Sequence, residues 1–427
     1  MFTPDFKPEP FWWEAARPEA GAQGDLPTSV DVLIVGAGYT GLHAAVQTAR
    51  AGCRTLVLDR EVAGWGASSR NGGQVSTSVK PGFAVLKKRY GAARAEAILR
   101  EGQASLDFMK RFMGEEGIHC QFQTNGRFHG AHTARQYDKL AREAESTGVL
   151  KTDAFVVPRH AQHAELGTDA YYGGIVFPHH ASLHPGLYHK GLRALAEEAG
   201  AQVLSQCAVT GIERQKNGFR VLTDRGPVQA AKVVLATNGY TGGLSRWHQR
   251  RVIPIGSYMI ATEELPGDVM DRVMPSDRIL SDTRKLVYYY RPSPDRKRIL
   301  FGGRVSLKET DPLRTGPLLR AELVRLFPAL KDVRISHSWS GLVGYTFDTL
   351  MHSGHERGLY HAMGYCGAGV GMASYLGMRI GQQASGNPEG ALAFDDIPFP
   401  TRPFYTGNPW FLAPSVLAYR VRDRLGI

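Results

Sequence analysis

"VDVLIVGAGYTGLHAAVQTARAGCRTLVLDR", residues 30–60, joins an apolar run, three spaced glycines, a helical stretch and a second apolar run that ends in an acid. The first run, Val30 to Val35, predicts a strand buried on both faces. Gly36, Gly38 and Gly41 follow it with G-x-G-x-x-G spacing, directly before a helix-forming segment. A strand, a tight turn and a helix in this order predict a dinucleotide-binding unit.

Each of these glycines meets a different steric demand. Gly36 permits the turn, Gly38 leaves room for a pyrophosphate, and Gly41 lets the helix pack closely on the strand. The helix N-terminus then presents N–H groups to the phosphates. Asp59 ends the second strand eighteen residues after Gly41, near the spacing at which an acid accepts ribose hydroxyls. The acid argues against a 2′-phosphorylated cofactor and leaves NAD and FAD as alternatives.

Two further glycine-rich segments predict contacts with a ligand. "GWGASSRNGGQ", residues 64–74, is too polar for the core, and its serine, arginine and asparagine side chains supply donors between glycines. "MGYCGAGVGMASYLGMRIGQ", residues 363–382, opens a second helix with glycines. The N-terminus of such a helix can face the electron-rich edge of an isoalloxazine ring. This combination favours a flavin.

Length and composition set the class of protein. A chain of 427 residues is too long for one simple core, so we expect two domains, either interwoven or sequential. A hydrophobic fraction of 43% with 49 glycines is typical of a globular α/β protein. No run approaches the roughly 20 apolar residues of a membrane helix, and the acids and prolines of residues 1–27 are unlike a signal peptide. We expect a cytoplasmic protein without an integral membrane segment.

The distribution of charged residues, cysteines and histidines argues against a nucleic-acid-binding, disulfide-linked or metal-binding protein. The net charge of +11 would suit an anionic partner, but the basic residues are scattered and no nucleic-acid-binding module joins them. The four cysteines form no CxxC pair, which argues against a disulfide framework and a zinc site. "FPHHASLHPGLYH", residues 177–189, matches no zinc spacing, and we expect a loop that leads into a helix from about Pro185. No metal is predicted.

The chain resembles the D-amino-acid-oxidase-like FAD oxidoreductases from about residue 30 to its end, and it is most similar to their γ-glutamylputrescine oxidase branch. The segments that carry this resemblance are GAGYTG, LVLDR, GWGASSRNGGQ, VVLATNGYTGG and GYCGAGVGMASYLG. The resemblance implies an α/β fold with a discontinuous, Rossmann-like FAD-binding domain and an antiparallel-sheet substrate domain. We expect an N-terminal arm over residues 1–29. The expected FAD-binding segments are 30–110, 181–245 and 341–427, the last including a C-terminal helix, and the expected substrate-domain segments are 111–180 and 246–340.

The resemblance also implies how FAD is held. In relatives that bind flavin covalently, the attachment is a cysteine near the "SGLVGYTFD" region or a histidine in the early glycine loop. Residues 341–348 and 64–74 contain neither, so we expect noncovalent FAD. The residues expected to bind it are Gly36, Gly38, Thr40, Gly41, Asp59, Arg60, Ser68, Arg70, Asn71, Gly72, Gly73, Gln74, Val209, Gly239, Gly367, Gly369 and Val370.

The substrate pocket is expected to combine aromatic walls with cationic groups. Alternation along a strand puts Tyr288 and Tyr290 on one face and Tyr289 on the other, so only one set can face the pocket. Core packing of each tyrosine and a structural role for each arginine are the alternatives. The pocket candidates are Tyr258, Tyr288, Tyr290, Arg291, Arg304, Trp339 and Tyr345.

The favoured function is FAD-dependent oxidation of an aliphatic amine or amino acid. No second G-x-G-x-x-G unit is present for NAD(P)H, so the electrons are expected from a C–H bond next to the substrate nitrogen, as a hydride transferred to flavin N5. No catalytic residue is predicted, because the cofactor performs this step and the protein positions the amine. The imine would hydrolyse, and oxygen would become hydrogen peroxide. The alternatives are a quinone- or carrier-linked dehydrogenase and a flavin-binding protein without amine turnover.

Overall fold

In the computed structural model, residues 1–21, 24–77, 79–145, 153–307 and 309–426 are described. Their α-helices are α1 Tyr39–Arg50, α2 Phe83–Tyr90, α3 Ala92–Glu115, α4 Ala134–Glu145, α5 Pro185–Glu198, α6 Arg246–Gln249, α7 Gly267–Val273, α8 Pro312–Leu326, α9 Gly369–Ser385 and α10 Leu412–Leu425. Their strands are β1 Phe2–Lys7, β2 Ser29–Val35, β3 Thr55–Leu58, β4 Gln74–Val75, β5 Arg127–Gly130, β6 Phe155–Pro158, β7 Gly173–Phe177, β8 Ala181–Ser182, β9 Gln202–Leu204, β10 Val209–Gln215, β11 Gly218–Thr223, β12 Gly226–Leu235, β13 Ile253–Thr262, β14 Ile279–Asp282, β15 Tyr289–Pro292, β16 Ile299–Gly303, β17 Ile335–Tyr345, β18 His352–Glu356 and β19 Leu359–Met363.

The first sheet carries the nucleotide-binding unit. Its order is β10-β11-β12-β2-β3-β9, and β19 pairs with β12 and β18. The apolar strands β2, β3 and β9 pair in parallel, as expected of strands covered on both faces. β10, β11 and β12 form two hairpins, whose turns place Gly218 at φ +107° and Gly226 at φ +126°. The parallel core of this sheet confirms the predicted α/β class.

Helices α1 and α9 pack closely on this sheet because small residues face one another. A Cβ at Gly381 of α9 would lie 2.7 Å from the Cα of Ala44 in α1, and one at Gly377 would lie 2.7 Å from the Cα of Thr40. Real Cβ atoms do not approach so closely, so only glycine fits. This packing brings the N-terminus of α9 beside that of α1.

The second sheet has nine strands in the order β1-β17-β13-β16-β15-β14-β5-β7-β6. It is mostly antiparallel, as predicted, but β1 pairs in parallel with β17 and β5 pairs in parallel with β14. One face packs an apolar core against α8, in which Tyr290, Phe301, Leu319 and Leu323 are buried. The opposite face looks towards the first sheet.

The domain boundaries remain predictions. Two strands, β1 and β17, connect segments on either side of the expected boundaries. β1 lies in the expected N-terminal arm and forms an edge of the nine-stranded sheet. β17 runs across the expected boundary between residues 340 and 341. In the described part of the chain, no helix is both long and apolar enough to cross a bilayer.

Candidate functional site

The glycine turn after β2 forms a narrow cradle. Gly36 has φ +105°, and a Cβ there would lie 2.9 Å from the carbonyl oxygen of Ala236. A Cβ at Gly41 would collide with the carbonyl oxygen of Gly36. α1 begins at Tyr39 with Gly38 before it, which has no side chain to cover the first turn. A helix N-terminus that is preceded by glycine and has no capping side chain of its own fits a phosphate group.

Asp59 stands at the end of β3, on the edge of the cradle. Its carboxylate accepts hydrogen bonds from the backbone N–H groups of Ala37, at 2.8 Å, and Glu61, at 3.0 Å. Burial raises the pKa of Asp59, and these two N–H groups oppose that rise. Each carboxylate oxygen has a second lone pair, so Asp59 can order the turn and still accept a hydroxyl group.

The segment 64–74 is an ordered loop built on its own polar groups. The Asn71 side chain accepts from the Gly73 N–H at 2.8 Å and donates to the Ala67 carbonyl oxygen at 3.1 Å. Ser68 Oγ accepts from the backbone N–H of Tyr39 at 3.0 Å, which ties this loop to the first turn of α1. The loop therefore has a fixed shape beside the cradle.

The N-terminal arm braces the outer side of this loop. The indole N–H of Trp12 donates to the Asn71 carbonyl oxygen at 2.8 Å, and that of Trp13 donates to Ser69 Oγ at 2.8 Å. The guanidinium of Arg70 lies 4.6 Å from the Trp13 ring centroid. This role of the arm was not predicted from the sequence, although three of the four residues of Phe11–Glu14 (FWWE) are aromatic.

A second glycine-rich turn meets the cradle from the C-terminal side. Gly364 and Gly367 have φ +79° and +98°. The Tyr365 hydroxyl lies 2.6 Å from Thr40 Oγ1, which joins this turn to α1. Cys366 lies in the same turn and donates its S–H to the Gly364 carbonyl oxygen at 3.1 Å. Burial raises the pKa of Cys366 to about 11, so it is held as a thiol.

A cavity of about 1140 Å³ extends from the cradle between the two sheets. Most sites for small molecules are no larger than about 1,000 Å³, and this cavity exceeds that size. It can therefore hold a dinucleotide together with a substrate. The residues expected to bind FAD that line it are Gly36, Gly38, Thr40, Asp59, Arg60, Ser68, Arg70, Asn71, Gly72, Gln74, Val209, Gly367, Gly369 and Val370. Those that lie behind its wall and shape the backbone are Gly41, Gly73 and Gly239. The residues present therefore fit FAD.

Of the substrate-pocket candidates, Arg304 and Tyr345 line the cavity. Arg304 donates to the Gly256 carbonyl oxygen at 2.6 Å and pairs with Glu309 at 2.7 Å, while its Nε and Nη2 atoms make no hydrogen bond. The ammonium nitrogen of Lys80 lies 5.2 Å from the centroid of the Tyr345 ring. Arg304 therefore brings a cation paired with Glu309 to the cavity, and Tyr345 brings an aromatic ring beside the Lys80 cation.

The structure corrects the positions of the other aromatic candidates. The register places Tyr289, rather than Tyr288 or Tyr290, on the cavity side of β15. Tyr290 donates to the Tyr171 hydroxyl at 3.1 Å in the core behind the sheet, and Tyr288 packs there against Phe301. The alternation of side chains along a strand predicts that Tyr288 and Tyr290 share a face. It does not predict which face of the sheet the core covers.

Tyr258, Arg291 and Trp339 also lie outside the cavity lining. The Tyr258 hydroxyl donates to Glu309 at 2.9 Å. Arg291 is buried and donates to the Leu183 carbonyl oxygen at 2.9 Å. Trp339 donates its indole N–H to the Arg70 carbonyl oxygen at 2.7 Å. Arg291 and Trp339 therefore support the site from outside the cavity.

Helix α10 lies over one side of the cavity, and we call it the α10 roof. Its cavity-facing residues, with the residue before it, are Phe411, Leu412, Ser415, Val416 and Tyr419. Asp423 fixes the helix, because its carboxylate accepts from the backbone N–H groups of Lys285, at 2.8 Å, and Leu286, at 3.0 Å. The sequence predicted this helix, but not its place over the cavity.

The histidines of residues 177–189 serve separate purposes. α5 begins at Pro185, as predicted, and the His184 side chain caps it by accepting from the Leu187 N–H at 3.1 Å. His189 lies 2.8 Å from the Ala37 carbonyl oxygen, and His180 lines the cavity. Within the described ranges, no three His, Cys, Asp or Glu side chains are grouped so that they could hold a metal ion.

Comparison with known proteins identifies the family to which this site belongs. Residues 31–383 match the sequence profile of the DAO family, described as FAD-dependent oxidoreductases. The chain belongs to the DAO family. This DAO-family chain is 30% identical to a γ-glutamylputrescine oxidoreductase of Escherichia coli, over 93% of each chain. It is 29% identical to the probable oxidoreductase OrdL of Haemophilus influenzae, over 87% of this chain and 86% of that one. The predicted family is confirmed, and the cofactor of this family is FAD.

Solved structures show that the DAO-family fold is shared. A glycine oxidase from Geobacillus kaustophilus superposes with a TM-score of 0.72 at 19% identity, over 88% of this chain and 99% of that chain. An L-proline dehydrogenase from P. horikoshii gives 0.71 at 18% identity, over 91% and 99%. The predicted fold, an FAD-binding domain joined to a second domain built on a largely antiparallel sheet, is thereby confirmed.

Proposed function

We propose that this DAO-family chain oxidises an aliphatic amine or amino acid with noncovalently bound FAD. One observation carries the proposal: the cavity that begins at the glycine cradle continues into a chamber with aromatic and cationic walls. That chamber includes Tyr289, Tyr345 and Arg304. The amine-oxidising relative in Escherichia coli supports the class of substrate.

The residues divide the work along the cavity. The first turn of α1 would hold the diphosphate of FAD, Asp59 its ribose, and residues 68–74 and 367–370 its ring system. When bound, FAD would supply the acceptor for a hydride from a C–H bond next to nitrogen. The tyrosine walls would orient a neutral amine, and the α10 roof would keep water away from the reacting carbon. No side chain of the protein has to serve as a strong base.

The overall reaction balances with water and oxygen as the co-reactants. The amine loses two electrons and two protons and becomes an imine. Water adds to the imine and releases ammonia or an amine together with an aldehyde or keto acid. Oxygen takes the two electrons and two protons and becomes hydrogen peroxide.

The environment of Cys366 supports noncovalent binding. Cys366 is a cavity-lining cysteine outside residues 64–74 and 341–348, where covalent attachment occurs in relatives. Its raised pKa keeps it protonated, and a thiol is a poor nucleophile compared with a thiolate. Acid precipitation of the purified protein is expected to leave the flavin in the supernatant. A flavin that stays with the precipitated chain would contradict this part of the proposal.

Turnover assays test the reaction class and the acceptor. Purified protein is supplied with γ-glutamylputrescine, sarcosine and pipecolate in air, and hydrogen peroxide is measured. A parallel assay without oxygen uses an artificial quinone. We expect peroxide from at least one amine. Turnover with the quinone alone would favour the dehydrogenase alternative, and no turnover in either assay would contradict amine oxidation.

A further inference from the structure

The outward face of α10 is apolar. Leu417, Val421 and Leu425 are 54%, 49% and 66% exposed, and they follow one another at four-residue intervals. Pro414, which is also exposed, continues the row one turn earlier. Residues three or four positions apart lie on the same side of a helix, so these four side chains form one row, which we call the apolar ridge. Single exposed apolar side chains are common on protein surfaces, whereas a contiguous row marks an interaction site.

The packing of α10 on its own protein does not use the apolar ridge. The inward face supplies Leu412 and Val416 to the cavity lining, and Val416 is 2% exposed. Asp423 holds the inward side of the helix through the backbone N–H groups of Lys285 and Leu286. A helix that packs only on its own protein has one apolar stripe opposite a polar face. Helix α10 has two opposite apolar faces, so the outward one is available to a partner.

Arginines flank the apolar ridge on both sides. Successive residues of an α-helix are turned by about 100°, so Arg422 and Arg424 lie on opposite flanks of the ridge, and both are exposed. The only acid among residues 412–425 is Asp423, whose carboxylate faces inward. The outward side of α10 is therefore both apolar and positively charged.

This pattern fits the surface of an anionic membrane. A helix that lies in a membrane interface buries its apolar face among the acyl chains, while arginines beside that face reach the headgroups. Each basic side chain near anionic lipid adds a favourable electrostatic contribution. Trp410, close before the helix, is 64% exposed, and tryptophan is enriched at the boundary between lipid and water.

A second copy of the chain would fit the apolar ridge less well. Two ridges packed against each other would bring Arg422 and Arg424 of one copy near the same residues of the other copy. Because α10 has no outward acid to pair with them, like charges would meet across that interface. Charge complementarity therefore favours anionic lipid over a contact between two copies.

We propose that α10 docks the protein on an anionic membrane surface, with the apolar ridge among the acyl chains and Arg422 and Arg424 at the headgroups. The helix would lie along the surface rather than cross it, because its 14 residues span about 21 Å and the hydrocarbon core is about 30 Å thick. Docking would hold the α10 roof of the cavity against the bilayer. The proposal does not depend on the amine reaction.

Co-sedimentation of the full-length holoprotein with vesicles tests the proposal. The protein is mixed with vesicles of phosphatidylcholine alone, or with vesicles that hold phosphatidylglycerol and phosphatidylcholine in equal parts. The pelleted protein is measured by gel densitometry, so the result does not depend on turnover. We expect binding to the anionic vesicles, and binding to phosphatidylcholine alone that is weaker on the order of tenfold.

Variants separate docking through α10 from a general attraction of this basic protein to anionic lipid. Leu417→Gln is expected to weaken binding on the order of tenfold, because it removes an apolar side chain from the acyl region. Arg422→Gln is expected to weaken it about fivefold. Leu313→Gln and Arg314→Gln are the matched controls, because both residues are exposed on α8, which packs on the other face of the nine-stranded sheet. The melting temperature shows whether each variant is folded.

The proposal is supported if both α10 variants weaken binding to anionic vesicles while both α8 variants bind as the wild type does. Absence of binding by the wild type, or equal binding by all four variants, would overturn it. Sedimentation velocity without vesicles measures the oligomeric state. A wild-type dimer that becomes a monomer in Leu417→Gln, together with no vesicle binding, would assign the apolar ridge to a second copy and overturn the proposal as well.

Discussion

Gly36 and Gly41 occupy positions in the nucleotide-binding turn where a side chain has no room. Gly36 adopts φ +105°, and a Cβ at Gly41 would overlap the Gly36 carbonyl oxygen. Spacing alone predicted both positions, because the G-x-G-x-x-G turn is a local feature of the chain. Tyr289 could not be predicted in this way, because its role depends on which face of a distant sheet the core covers.

Gly41→Ala is expected to destabilise the protein and to abolish FAD binding. The added methyl group forces α1 away from the strand, at a cost of about 1–3 kcal/mol or more. Gly114→Ala is the control, because nothing lies within 4 Å of a Cβ at that helical position, and alanine favours a helix by about 0.5–1 kcal/mol. Flavin content and urea unfolding check both variants. Normal flavin content in Gly41→Ala would contradict the account of the cradle.

Tyr289→Phe and Tyr290→Phe are expected to differ in what they change. The Tyr289 hydroxyl lies 2.8 Å from Ser257 Oγ on the cavity wall, so its loss is expected to change KM for the amine by a factor of about three or more. The Tyr290 hydroxyl bonds Tyr171 in the core, so its loss is expected to cost about 1 kcal/mol of stability and to leave KM unchanged. Steady-state kinetics and urea unfolding separate the two. The opposite pattern would contradict the assigned faces.

The elements of the FAD-binding sheet could be predicted from short segments of sequence. The unit of β2, α1 and β3 and the hairpins of β10 to β12 are local, so apolar runs and turn residues specify them. The order of the nine-stranded sheet could not be predicted, because β1 pairs with β17 and β5 with β14 across long stretches of chain. The N-terminal arm gained its role in the same way, through contacts with a loop that is distant in sequence.

Trp12→Phe is expected to loosen the flavin loop. The variant leaves the Asn71 carbonyl oxygen without its 2.8 Å hydrogen bond from a fully buried indole. An unsatisfied buried acceptor costs about 1–3 kcal/mol, so we expect weaker FAD retention and a lower melting temperature. Trp410→Phe serves as the control, because Trp410 is 64% exposed. Dialysis followed by flavin quantification checks the pair, and equal retention by both variants would count against the bracing role.

At the scale of the whole molecule, the two sheets enclose a cavity and bury several histidines in neutral form. Burial lowers the pKa to about 3 for His43 and to about 4 for His184, His189 and His248. The unfolded chain binds a proton at each of them below about pH 6.5. The contribution of these neutral histidines to the free energy of unfolding is therefore fully present above about pH 6.5. It is lost progressively as the pH falls towards 4.

Acidification is expected to lower the free energy of unfolding before most carboxylates titrate. At about pH 5.5 each of these four histidines costs about 1 kcal/mol, so we expect a combined loss of several kcal/mol relative to about pH 7.5. Urea unfolding at the two pH values measures the difference. An unchanged free energy of unfolding would contradict the neutral burial of these rings.

In the proposed reaction an amine delivers its electrons to FAD bound in this cavity. An anaerobic titration of the purified holoprotein with a panel of amines and amino acids tests this, with the visible flavin band recorded. We expect at least one of these compounds to bleach the band stoichiometrically and air to restore it. A flavin that no amine or amino acid bleaches, although NADPH does, would contradict the claim, and so would a colourless protein that cannot be loaded with FAD.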